Sequence, residues 1–344
     1  MDRKDDHIRV CLEEQVDELG VGAGFERFSF DHDALPELNL EDVSLKTTFL
    51  GAPLSAPLMI GAMTGGTAKA GAVNRILAEA AQETGIGLAL GSQRPMLENP
   101  ALAQTYSVRD VAPDVFLMGN VGAVQLNYGV DADALNRLIE ASGVNALMFH
   151  INPLQEAIQP GGDTRFKGLL ERLSHTIPQL NVPVLVKEVG SGFSETTVEK
   201  LKSLPLAGIE ISGVGGTSWA KVESYRTSLE GKARAGSLLA SWGTPTSESI
   251  QIVRKIMPDI PIVSSGGVRN GLEIAKSIAL GATVGAMARP FLEAAQDGVP
   301  GVIQFIEALK EEMRIIQFVT GAATPAELRT KAVLRDRRTG EVAG

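Results

Sequence analysis

The chain is poor in three things. Its 344 residues include a single cysteine, Cys11, which excludes an internal disulfide and any thiol cluster able to hold zinc or an iron-sulfur group. A reducing, cytoplasmic compartment is the simplest expectation. No apolar run approaches the roughly 20 residues needed to span a bilayer, and the opening MDRKDDHIRV has no apolar signal core, so a soluble protein is expected. Basic charge is also scarce. The formal net charge is -9, which argues against general nucleic-acid binding but leaves room for a local basic pocket that takes a small anion.

What is abundant points to an enzyme of the α/β class. Apolar residues make up 44% of the chain and glycines number 37, a composition suited to many glycine-rich turns between buried strands and helices. The length fits one large barrel or two ordinary domains. The most informative stretch is 261–290, PIVSSGGVRNGLEIAKSIALGATVGAMARP. Pro261 to Ser264 reads as a buried strand, Asn270 to Leu280 as a helix ended by Gly281, and Thr283 to Met287 as the next strand. Gly266 and Gly267 leave backbone amides bare at a helix N-terminus, where a phosphate is favoured. The plainer alternative is that these glycines only permit tight turns.

The same alternation runs back through the chain. Pro57 to Ala62, Gly87 to Ser92, Val115 to Val121, Ala146 to Asn152, Pro183 to Val189 and Gly208 to Ser212 read as buried strands. Helical patterns lie at Gly71 to Thr84, Asp131 to Ser142, Lys167 to Thr176 and Glu195 to Leu204. Eight strands with intervening helices predict an α/β fold, a (β/α)8 TIM barrel, over residues 56–325. Residues 1–55 read as an N-terminal extension with a helix near Ile8 to Glu18, and residues 326–344 as a polar tail that is loose. The insertion 213–245 is the longest interruption and has the character of a lid. A further helix is expected over Val302 to Phe318.

Barrel enzymes work at the C-terminal ends of their strands, and here every strand end is polar. The first offers Ala62, Met63 and Thr64, the second Ser92, Gln93 and Arg94, the third Asn120. The fourth offers His150 and Asn152, continuing to Gln155 and Glu156; the fifth Lys187, the sixth Ser212 and Thr217. The last two carry the cradle with Gly266, Gly267, Val268, Ala288 and Arg289. A phosphate cradle after strands seven and eight, with Lys187 and Asn120 on middle strands, suits FMN. Its phosphate would lie on the cradle and Lys187 near the electron-rich edge of its ring. A Lys187 ion pair with Glu188 is disfavoured, since neighbours on a strand face opposite ways. Arg94, Ser92, His150 and Asn152, with the N-terminal Arg3 and Lys4, would surround a second, polyanionic ligand. For Arg3, Lys4 and His7 a solvated terminus is the competing reading. Glu156 suits magnesium held against phosphates or a helix-start acid, and both stand.

As a set these residues resemble the type 2, flavin-dependent isopentenyl-diphosphate isomerases. The resemblance runs through RKDDHI at 3–8, AMTGG at 62–66, GSQR at 91–94, HINPLQEAIQPGGD at 150–163, VKEVG at 186–190, SGVGGTSW at 212–219 and SSGGVRNG at 264–271. One departure is Gly161, where relatives often carry an acid. The resemblance implies FMN and magnesium as cofactors, NADPH as flavin reductant, and a homotetramer or homo-octamer. It implies interconversion of isopentenyl and dimethylallyl diphosphate, in isoprenoid biosynthesis, without net redox change. It places the substrate on Arg3, Lys4, His7, Ser92, Gln93, Arg94, Asn152 and Gln155, and magnesium on Glu156. FMN falls to Ala62, Met63, Thr64, Ser92, Asn120, Lys187, Ser212, Thr217, Gly266, Gly267, Val268, Ala288 and Arg289. Gln155, His150 and Glu223 are the catalytic candidates, Glu223 being equally readable as a surface acid. With few side-chain acids or bases in the mouth, the reduced flavin is expected to shuttle the proton and to steady a tertiary carbocation.

Three other readings compete. A 2-hydroxy-acid oxidase needs a histidine in the last third of the chain, yet the histidines are at 7, 32, 150 and 175. A nucleotide dehydrogenase of the inosinate type needs a mid-barrel nucleophilic cysteine. A non-enzymatic anion-binding barrel leaves the polar strand ends unexplained, and flavin-free purified protein would favour it.

Overall fold

The computed structural model describes residues 3–17, 22–331 and 333–343, with side chains from residue 6 onward. Eight parallel strands close into a barrel, each hydrogen-bonded to the next in sequence, and the last returns to the first through Gly285, Ala286 and Met287 against Leu58, Met59 and Ile60. The strands are Leu58–Ile60, Gly87–Ala89, Leu117–Gly122, Ala146–His150, Val184–Lys187, Gly208–Glu210, Ile262–Ser264 and Val284–Met287. All eight expected runs are barrel strands, because strands buried on both faces read as continuous apolar segments. Inside the barrel, Met59, Met118, Met148, Leu185, Val263 and Val284 pack together. The hairpin Thr47–Phe49 and Ala52–Leu54, just ahead of the first strand, closes the bottom with Phe49 and Leu54.

Helix ends follow their local chemistry. Thr67 accepts from the Ala70 amide, so the helix begins at Ala68 rather than Gly71; it ends at Gly85, φ 70°. Asp131 and Asn270 cap their helices in the same way. Among the described residues no helix is long and apolar enough to cross a membrane.

Two expectations need correction, for the N-terminal helix and for the tail, and the structure fills in the lid-like insertion. The N-terminal helix spans Arg3–Glu13, ending earlier than expected because the chain then crosses the mouth, where Asp17 bridges Thr217. The insertion after the sixth strand is built of two helices, Trp219–Arg226 and Glu230–Leu238. The tail is docked: Leu334–Asp336 pairs antiparallel with Phe28–Phe30, Leu334 is buried, and Arg27 Nε donates to Asp336 at 2.6 Å. Replacing Leu334 with alanine should therefore cost about 3 kcal/mol, read as a lower melting temperature; an unchanged melting temperature would mean that the tail contributes nothing.

Candidate active site

The strand register assembles the mouth. Gly122 stands beside His150, His150 beside Lys187, and Lys187 beside Glu210, so the fourth, fifth and sixth strands bring their polar residues to one layer. Above that layer lies a cavity of about 980 Å³, at the upper end of typical small-molecule sites. The Gly266, Gly267 and Val268 turn, Ala288 and Arg289 line one side of it. Ala62, Met63, Thr64, Ser92, Asn120, Lys187, Ser212 and Thr217 line the floor and walls, and Arg94, His150, Asn152, Gln155, Glu156 and His7 line the other side.

Two expected residues do not line the cavity. Gln93 is fully buried, and its side-chain oxygen accepts from the Asn120 amide at 3.0 Å, so it fixes the third strand. Glu223 is fully buried behind Gln155. The Arg3 and Lys4 side chains lie outside the described residues.

The flavin side fits its group. Gly266 and Gly267 take φ of 94° and 75°, which glycine adopts freely, and a Cβ on Gly266 would sit 2.3 Å from the Gly213 carbonyl oxygen. The buried Thr64 hydroxyl oxygen lines the cavity without a protein partner. Lys187 does not pair with the Glu188 side chain. Its Nζ donates to the Glu188 carbonyl at 2.7 Å and lies 3.6 Å from the Glu210 carboxylate. The Glu188 carboxylate instead accepts the amides of Val189, Gly190 and Ser191 at 2.6, 2.8 and 2.5 Å. Burial pushes it up to about 7 against those three donors.

The opposite side is a chain of side-chain hydrogen bonds. Asn152 Nδ2 donates to Gln155 Oε1 and to Glu156 Oε1, both at 3.0 Å, while its own Oδ1 is buried without a partner. Gln155 Nε2 donates to Glu223 Oε1 at 3.1 Å, and His7 Nε2 reaches the same oxygen at 3.0 Å. Arg226 Nη1 donates to Glu223 Oε2 at 2.6 Å and Arg226 Nε to Asp6 Oδ2 at 2.9 Å. Arg226 Nη1 also lies 2.8 Å from His7 Nε2; a guanidinium only donates, so this nitrogen either accepts from Arg226 or donates to Glu223, not both at once. Burial raises the Glu223 carboxyl, but His7, Gln155 and Arg226 outweigh it and hold the group below its ordinary range. Burial raises Glu156 above that range despite the Asp163 amide and Asn152. His150 Nδ1 lies 2.7 Å from Asn120 Oδ1 and donates to it, because an amide oxygen only accepts. Arg94 is engaged by Glu98 at 2.7 Å and Asp163 at 2.5 Å.

Among the described residues no group of three or more His, Cys, Asp or Glu side chains is placed to hold a metal. Glu156 with the orphaned Asn152 oxygen still suits magnesium, which takes one or two protein oxygens and completes its shell with phosphate and water. Cys11 lines the cavity, and burial pushes its thiol up to about 12, opposed by Arg289 and assisted by Asp17 and Glu223. We expect the native thiol to react with a disulfide reagent at neutral pH at least about a thousandfold more slowly than free cysteine, and at the ordinary rate once denatured. Fast native labelling would contradict this.

Sequence reasoning missed Asp6, Glu210, Arg226, Asp163 and Ser265. Glu210 had a signal, being an acid inside an apolar strand beside the strand of Lys187. Arg226 had none, since its helix shows no one-sided apolar stripe.

The FMN-dependent dehydrogenase family matches residues 164–335. A flavocytochrome b2 variant superposes with TM-score 0.67 at 18% identity, over 96% of this chain and 83% of that one. A mandelate oxidase variant with an FMN adduct gives TM-score 0.60 at 17% identity, over 90% and 88%. Likeness at that identity shows the fold. Family match, barrel and cradle together define a flavin enzyme of the FMN-dependent dehydrogenase class. Closer relatives narrow the class. A Nostoc isopentenyl-diphosphate delta-isomerase is 46% identical over 97% of this chain and 95% of its own, and one from Mycolicibacterium gilvum is 43% identical over 96% of each. The chain belongs to the isopentenyl-diphosphate delta-isomerase family, in its FMN-dependent form.

Proposed function

We propose that this isomerase holds isopentenyl diphosphate by its diphosphate on one side of the cavity and its alkene over the flavin, and interconverts it with dimethylallyl diphosphate by proton transfer. The carrying observation is that Gly266 and Gly267, read as a phosphate cradle, line the same cavity as His7, Ser92, Arg94 and Asn152, a set of donors suited to a second anion. Bound on the cradle, reduced FMN would supply proton-transfer chemistry and an electron-rich face. Arg94 exchanges Asp163 for a phosphate oxygen, and Arg3 and Lys4 add charge from the N-terminal helix. Glu156 and Asn152 Oδ1 would hold magnesium, which would supply positive charge for the phosphates. Gln155, fixed at both ends by Asn152 and Glu223, orients the alkene; an amide is too weak a base to take the proton itself. His150 carries a proton on Nδ1 toward Asn120, so its Nε2 is the basic nitrogen.

An anaerobic assay with FMN, magnesium and NADPH tests this. Isomerised product should appear only in the complete mixture, with no more than one NADPH consumed per flavin over many turnovers, because no net oxidation occurs. NADPH consumed in step with product would overturn the scheme. The same reading carries a tetramer or octamer in a cytoplasmic setting, and sedimentation checks the assembly.

A further inference from the structure

We propose that Glu210 is a positioning residue that keeps Lys187 within a neutral pair beside the flavin, so that the bound flavin holds a low reduction potential. The inference rests on the placement of Lys187 at the ring in the proposed function. Lys187 and Glu210 are neighbours in register on the fifth and sixth strands, buried to 6% and 3% exposure, with Nζ 3.6 Å from Oε1. Both line the cavity. Ser265 Oγ donates to Glu210 Oε1 at 2.8 Å and accepts from the Ser212 amide at 3.1 Å. Ser212 sits at φ 43°, a conformation that a non-glycine residue holds only when its surroundings enforce it. Four residues from three strand ends thus fix one carboxylate against one ammonium.

A buried ion pair is weak evidence for stability, since desolvation cancels much of the attraction. Its consequence for the cofactor is definite. Two-electron reduction with uptake of one proton leaves the flavin one negative charge richer. A lone Lys187 ammonium would favour that state; the pair with Glu210 largely cancels the effect. A more negative potential makes the reduced ring richer in electrons, which suits an enzyme that uses it to exchange protons rather than to pass electrons on.

The test is the midpoint potential of FMN bound to the full-length protein, measured anaerobically against a reference dye for the wild type, Glu210→Gln, Lys187→Met and the double variant. Glu210→Gln keeps the shape and its acceptor for Ser265. It should raise the preference for reduced over oxidised FMN by about tenfold, or about 30 mV for a two-electron couple. Lys187→Met should move the potential the other way, and the double variant should return near the wild type, which a structural role for Glu210 does not predict. An unchanged Glu210→Gln potential, with Lys187→Met shifted, overturns the inference alone. An unshifted Lys187→Met overturns both the inference and the placement of the lysine.

Discussion

With Glu156 as the proposed magnesium ligand, Glu156→Gln should lower turnover by about two to three orders of magnitude, the loss expected when several kcal/mol of metal-borne charge stabilisation disappears, while FMN binds as before. The carboxylate is oriented before any metal arrives. Asn152 holds Oε1 at 3.0 Å, and the Asp163 amide and Gln159 hold Oε2 at 2.6 and 3.3 Å. Glutamine can satisfy one side of that arrangement but must turn a donor toward the other, so the substitution also costs about 1–3 kcal/mol of stability. Flavin affinity separates the two effects, because a misfolded mouth loses FMN and a missing magnesium ligand does not. The raised Glu156 carboxyl adds a pH signature. Its proton must leave before the metal binds, so activity should fade on the acid side earlier than an ordinary glutamate dictates, and added magnesium should move that limb to lower pH. Wild-type turnover in Glu156→Gln with an unaltered magnesium requirement would remove Glu156 from the metal site.

The sequence showed the barrel more fully than the site because the two are encoded differently. Parallel strands are apolar on both faces, so Ala146–His150 or Val284–Met287 can be read one segment at a time. The cradle is readable for a similar reason, since Gly266 and Gly267 lie next to each other in sequence and act together. Networks between distant segments leave no such trace. Arg226 meets Asp6 across 220 positions, and nothing in the helix Trp219–Arg226 marks that arginine apart from the charges around it. Leu334 and Asp336 look like part of a polar end until Phe28–Phe30 supplies the partner strand. Lys187 illustrates both cases. The alternation rule correctly rejects the Glu188 side chain as its partner, but finding Glu210 requires the register between two strands.

Glu223→Ala should be the most destabilising single change at the mouth, costing about 3–5 kcal/mol, because removing one partner of a buried ion pair strands the other. Glu223 is fully buried, and Arg226, His7 and Gln155 all converge on its two oxygens. Its loss leaves the Arg226 guanidinium with Asp6 as its remaining carboxylate. His7, which also packs edge-on against Trp219 at 5.1 Å, then loses the Glu223 oxygen beside its Nε2. Since Asp6 and His7 belong to the helix Arg3–Glu13, the clasp that holds this helix on the insertion fails with it. Three readings should move together: a lower melting temperature, faster proteolysis near the N-terminal helix and, on the proposed placement of the diphosphate, a higher KM for that substrate as the helix loses its seat. Glu223→Gln keeps the shape but not the charge and should fall between the wild type and alanine. The pH dependence has a fixed sign. The folded carboxyl lies below its ordinary value of 4.5, so its contribution is fully present above that pH and is lost as the pH falls through the lower folded value. The melting temperatures of wild type and Glu223→Gln should therefore differ most near neutrality and converge in acid. A gap that stays constant into acid would mean that the Glu223 charge is not what holds the N-terminal helix over the mouth.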